Sequence, residues 1–175
     1  MSSYCKDHDK VKETPHHKNP HEIILPAGSF DGAAQLGICQ CGVILRLNEG
    51  SRSEIFWNGG TSTNTRAEIL ALWGLLWFMK EGHIDNYHVF RDSIFVILGI
   101  QGLTEFDVPS LSGWIEWIRL LMENINIISI SHIYKEANKE ADVMSKEGLQ
   151  GTFGFMNFRL IVEGAIKEVG TLIIP

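Results

Sequence analysis

The first 22 residues are polar, and a recurring apolar pattern begins only at Ile23-Ile24-Leu25. From Phe30 to Leu47 two apolar runs are separated by Gly37, with Gly42 inside the second, and Asn48-Glu49-Gly50 reads as a turn. Glu54-Ile55-Phe56-Trp57 is a third short run, closed by Gly59-Gly60. Short apolar runs punctuated by Gly and Asn predict three strands joined by tight turns and paired antiparallel. The period then lengthens. Ile69, Leu72, Trp73, Leu76 and Met79 fall at helical spacing between Thr65 and Lys80, with Thr63 or Asn64 able to cap the start and Gly82 the stop.

Beyond that helix, Tyr87–Phe90 reads as a short strand ending at Arg91-Asp92, Ser93–Ile100 as a helix, and residues 103–110 as a loop. Trp114, Trp117, Ile118 and Leu121 line another helix, Ile125–Tyr134 is a strand, and Ala137, Ala141 and Met144 mark a last helix ending at Gly148. Strands reached through helical crossovers should lie parallel to the first. The expected architecture is α/β: a five-stranded mixed sheet, three strands antiparallel and two parallel, flanked by helices. The expected organisation is a disordered polar leader over 1–22, one domain over 23–150, and a C-terminal extension over 151–175 that forms a short hairpin turning at Gly164 or Gly170.

Composition narrows the partners. The chain has 175 residues, 15 basic and 21 acidic, for a formal charge of -6, and 45% are hydrophobic. That supports a real core and excludes binding a polyanion through a generally basic surface. It leaves room for a local site where acidic residues hold divalent cations. No stretch is apolar for the roughly 20 residues that span a bilayer, so no membrane partner is expected. Cys39 and Cys41 would face one side of a strand and Cys5 sits in the leader, which reads as plain reduced thiols rather than zinc ligands or a disulfide scaffold. An intracellular location follows, nuclear or cytoplasmic, with a monomer as the expected state. His16, His17 and His21 belong to the leader and read as solvated.

Four carboxylates stand out. Asp31 follows Phe30 in the first strand, Glu68 lies in the first turns of the long helix, Asp92 ends the fourth strand, and Asp142 is early in the last helix on the face of Asn138. Singly, each has an ordinary role: a turn, a helix-dipole carboxylate, a cap or a solvated side chain. Together, a central-strand acid, a neighbouring strand-end acid and two helix-start acids can converge at the carboxyl edge of the sheet, where open α/β folds place their sites. Clustered carboxylates repel one another, and two divalent cations neutralise four of them. All-oxygen donors favour magnesium or manganese. Asp31 is the natural bridging ligand, since its strand is central.

These residues resemble the ribonuclease H family, specifically the plant-type domain associated with reverse transcriptases and retrotransposons. The matching blocks are Phe30-Asp31-Gly32-Ala33, Thr63-Asn64-Thr65-Arg66-Ala67-Glu68, Arg91-Asp92-Ser93, and the run from His132 to Asp142 with Lys135 where arginine is usual. They span about residues 28–149. The resemblance implies a ribonuclease H-like fold and endonucleolytic cleavage of the RNA strand of RNA–DNA hybrids. It implies Asp31, Glu68, Asp92 and Asp142 as catalytic ligands of two Mg2+ or Mn2+ ions. It also implies Thr63, Asn64, Thr65, Ser93 and Asn138 as substrate-binding residues, and a former fusion to a reverse transcriptase. Tyr134–Ala137 offers no histidine before the last helix, and residues 94–118 contain no lysine or arginine. Slow turnover and modest hybrid affinity are therefore expected. The alternative is a catalytically weak or silent nucleic-acid-binding remnant of a retroelement. A 3′–5′ exonuclease of related fold is disfavoured, because Asp31-Gly32-Ala33 lacks a second acid.

Overall fold

The computed structural model of the chain describes residues 25–84, 86–91, 111–133 and 135–174. The polar leader, Asp92, Ser93, the helix expected over 93–100 and the loop expected over 103–110 lie outside the described residues. Strands β1 (Ala27–Gln35), β2 (Ile38–Asn48) and β3 (Ser51–Thr61) form an antiparallel meander, and β4 (Tyr87–Arg91) and β5 (Ile127–His132) lie parallel to β1. This is a ribonuclease H-like mixed sheet. It carries two strands beyond the five expected. β6 (Phe155–Val162) pairs antiparallel with β3, and β7 (Ala165–Ile173) with β6, so the order is β5-β4-β1-β2-β3-β6-β7. The turn falls at Glu163-Gly164, where both residues have positive φ, while Gly170 lies inside β7.

Helix α1 (Asn64–Glu81) begins where the pattern places it, because the Thr63 hydroxyl accepts a bond from the Arg66 N–H at 3.4 Å and serves as N-cap. Gly82 ends it. α1 and α2 (Ser112–Glu123) cover one face of the sheet. Trp73 is buried at their junction, its ring centroid 5.9 Å from Trp77, 5.3 Å from Trp114 and 4.9 Å from Trp117. This main core includes Phe30, Cys41, Val43, Ile55, Trp57, Leu72 and Leu76.

Helix α3 (Lys139–Glu147) packs on the opposite face, entered through a 3-10 turn at Lys135–Asn138. The α-helix begins later than the expected Ala137, which falls in the 3-10 turn; Asn138 stands at the N-cap position, and its side-chain amide is bonded to β1 rather than to the helix. β5 starts later than Ile125, since Asn124 caps α2 and the chain still bends at Ile125. Tyr134 lies outside the described residues.

Candidate active site

Asp31 is a buried carboxylate in the middle of the sheet, with β4 on one side of its strand and β2 on the other. Its cross-strand partner is Gly42, and partners in an antiparallel pair share a face. That face is the one under α3. A Cβ on Gly42 would stand 2.2 Å from the Ser145 nitrogen and 2.6 Å from the Ala141 carbonyl, so only glycine admits α3 this close. The next residue, Gly32, does the same for α1 on the opposite face. A Cβ there would stand 2.2 Å from the Ala67 carbonyl and 2.5 Å from the Glu68 nitrogen. Gly32 thus lets the first turns of α1 rest on β1, the strand that carries Asp31, and Gly42 lets the body of α3 rest on its neighbour β2. Glu68 and Asp142 are both half-buried on these helices.

Asn138 fixes the entry to α3. It is buried, and its Nδ2 donates to the Phe30 carbonyl at 3.0 Å, one residue before Asp31. Its Oδ1 is buried with no hydrogen-bond partner among the described residues. An unsatisfied buried oxygen costs free energy unless a water, ion or ligand meets it. One turn after Asn138, Asp142 pairs with Lys146, whose Nζ lies 2.9 Å from the carboxylate. Asp142 raises the Lys146 pKa, first through this bond and then through its charge, and Asp31 adds to the shift. Asp31 also contributes, after burial and Cys39, to pushing the Cys41 thiol well above its ordinary range. The Lys146 ammonium therefore sits on Asp142 and within reach of the charge of Asp31.

The helix-start residues have structural duties of their own. Thr63 is the N-cap of α1, and Asn64 Oδ1 accepts from the Ala34 N–H at 2.6 Å, tying the helix start to the end of β1. Both are exposed beside the rim, and Thr65 is half-buried. The parallel register pairs Phe90 with Ser29, so β4 advances toward the level of Asp31 before Arg91, its last described residue. Asp92 and Ser93 follow outside the described residues.

Among the described residues, no group of three His, Cys, Asp or Glu side chains is arranged to hold a metal ion. The donor chemistry nonetheless fits a hard divalent cation. The groups drawn to the rim are carboxylates, an amide oxygen without a partner adjoins them, and a lysine ammonium already answers their charge.

Two features escaped the sequence reading. The Asp142–Lys146 pair was readable from its i,i+4 spacing. The contacts of Arg159 were not, because they depend on β6 joining the sheet: its guanidinium pairs with Glu54 at 3.2 Å and Glu147 at 3.0 Å and lies over the Phe56 ring.

The strand order and flanking helices define an RNase H-like domain. The family model described as reverse transcriptase-like matches residues 28–148, and the chain belongs to that family. Solved structures agree. RNase H1 from the halophilic archaeon Halobacterium salinarum NRC-1 is 26% identical with a TM-score of 0.65, over 71% of this chain and 96% of that one. A compost-derived RNase H1, solved in complex with RNA/DNA hybrid, shares the fold at 23% identity and TM-score 0.63, over 71% of this chain and 96% of that one. The N-terminal RNase H domain of a Mycobacterium tuberculosis protein shares it at 18% identity and TM-score 0.58, over 71% and 94%. No curated protein matches the chain by sequence.

Proposed function

We propose that the chain is a ribonuclease H-type endonuclease that hydrolyses the RNA strand of RNA–DNA hybrids. The observation that carries this reading is the convergence, on one rim of an RNase H-like sheet, of Asp31 with the helices bearing Glu68 and Asp142. In this reading Asp31, Glu68, Asp92 and Asp142 are the residues that would hold two divalent cations, magnesium or manganese. When bound, such cations supply an activated water and stabilise the leaving oxygen of the phosphodiester.

The chain's own groups do the positioning. The close approaches at Gly32 and Gly42 hold α1 and α3 against the sheet, and Asn138 locks the entry of α3 to β1. Thr63, Asn64 and Thr65, beside the α1 N-terminus, are short uncharged groups suited to sugar hydroxyls and phosphate oxygens of the minor groove. Ser93 and Asn138 complete the proposed substrate-binding set. A chain that binds hybrid without cutting it is the second reading, favoured by the ammonium already seated on Asp142.

The test uses labelled RNA–DNA hybrid, RNA–RNA and DNA–DNA duplexes, each with magnesium, manganese or chelator. Cleavage confined to the hybrid, dependent on the metal and lost in Asp31→Asn with the fold intact, is expected. Hybrid binding without cleavage in every metal condition would select the second reading. Cleavage by Asp31→Asn at the wild-type rate would overturn the assignment of the site.

A further inference from the structure

The hairpin β6–β7 lies outside residues 28–148, the span that the family model matches. It also gathers exposed apolar side chains. Phe153, Phe155, Ile166, Val169 and Ile173 are among the large hydrophobic residues left open to solvent. β7 is the outermost strand on its side of the sheet, so among the described residues its far edge has no neighbour.

The hydrogen-bond phase of that edge follows from one bond. The Ile174 N–H donates to the Gly154 carbonyl at 2.9 Å. In an antiparallel ladder, pairs that exchange both bonds alternate with pairs that exchange none. Leu172 and Gly170 therefore turn their main-chain groups inward toward β6, and Val169, Thr171 and Ile173 turn theirs outward. The same three side chains stand on the face of the sheet that α3 occupies further along. Val169 pairs with Arg159, Arg159 with Glu54, and Glu54 with Ile44, which packs beneath α3. α3 does not reach the hairpin's outer strand, and Val169 and Ile173 are 65% and 75% exposed.

Edge strands are ordinarily blunted by lysine, proline or a bulge. In β7 those guards are confined to its first half: the register irregularity falls beside Lys167, and Glu168 follows. From Val169 to Ile174 there is no charge, no proline and no irregularity.

We propose that a second copy of this chain pairs along this stretch, antiparallel, about a two-fold axis through Thr171. The register is fixed by the outward groups. Val169 then faces Ile173 of the partner subunit, and Thr171 faces its own counterpart. Three such pairs exchange about six main-chain hydrogen bonds. The segment is its own complement: apolar meets apolar, threonine meets threonine, and Lys167 and Glu168 fall outside the paired residues, so no like charges oppose. That self-complementarity singles out a second copy over an unrelated extended peptide. It departs from the monomer expected from the sequence, because the open edge exists only once the hairpin has joined β3.

Sedimentation velocity of the full chain, from low to high micromolar concentration, tests the proposal independently of any nuclease activity. A reversible monomer–dimer equilibrium is expected. Thr171→Pro removes an outward N–H without touching the β6 ladder, and Val169→Lys sets an ammonium against Ile173 of the partner subunit. Each should weaken dimerisation roughly tenfold or more, with far-UV circular dichroism unchanged. A wild-type chain that stays monomeric throughout, or a dimer that survives both substitutions, would overturn the proposal.

Discussion

The two faces of the sheet are built on different principles. Under α1 and α2 lies a broad apolar layer, with Trp73 wedged among three other indoles and Trp57 buried beneath. Under α3 the apolar contact is small: Ile44, Ala141 and Met144, with Phe56 beside them. Ion pairs border this layer instead, Arg46 with Glu140 and Arg159 with Glu147. Asp31 lies on the α3 face, next to Gly32 on the α1 face, and each face carries one helix-borne carboxylate, Glu68 on α1 and Asp142 on α3. The comparison teaches that stability and site geometry are unequally distributed. The α1 face holds the fold together, while the α3 face mainly sets where Asp142 stands.

The largest expected effect tests the first half of that statement. Trp73→Ala opens a cavity in the thick layer and should cost about 3–5 kcal/mol of stability, read from urea unfolding. A loss near that of an ordinary surface substitution would mean that the aromatic cluster is not the structural centre.

Gly42→Ala tests the second half. Its Cβ would meet the α3 backbone at 2.2 Å, so the helix must move. Hybrid cleavage should fall by roughly a hundredfold, the scale of a small misplacement of reacting groups. Stability should fall by about 1–3 kcal/mol. Gly32→Ala, which pushes on α1, should lose more stability than Gly42→Ala at comparable loss of cleavage. Equal stability losses would erase the distinction between the faces.

Much of this was legible in the sequence, and what was not has a physical reason. The period change at Thr65, the cap at Thr63 and the parallel return of β4 and β5 follow from local pattern and connection rules. The pairing of β6 onto β3 does not. Its partners are about a hundred residues apart in the chain, and nothing in 151–175 names the edge it will join. The candidate carboxylates stand out in the sequence because Asp31 interrupts an apolar strand and Glu68 and Asp142 fall early in helices. The closeness of approach does not: Gly32 and Gly42 look like ordinary strand glycines until two helices are seen resting on them.

The smallest expected effect concerns pH. A hydrogen bond from Arg46 holds the Glu140 carboxyl below its ordinary range, partly opposed by burial. The folded state then binds that proton more weakly than the unfolded chain does. Its contribution is present at neutral pH and is lost as pH falls through the depressed folded-state value. Because Glu140 is more than half exposed, the pair is worth only about 0.2–1 kcal/mol. Glu140→Gln should flatten the acid side of a stability–pH curve by that amount while leaving cleavage nearly unchanged. A steeper acid slope in the variant would contradict the sign.

The two strand cysteines have a further consequence, in the kinetics of chemical labelling. Cys39 donates to the Thr63 carbonyl at 3.6 Å and Cys41 to the Ala67 carbonyl at 3.5 Å, so both thiols bond the turn of α1 that leads into Glu68. Only a thiolate reacts with alkylating or disulfide reagents, and burial suppresses that form in both residues. Modification must wait until this turn lifts from β2. In a Cys5→Ser background, the labelling rate of Cys41 under native conditions therefore reads the opening free energy of that corner of the molecule alone. The chain carries an intrinsic clock at the joint between its stable face and its site, and a bound cation or hybrid that closes the joint will slow it.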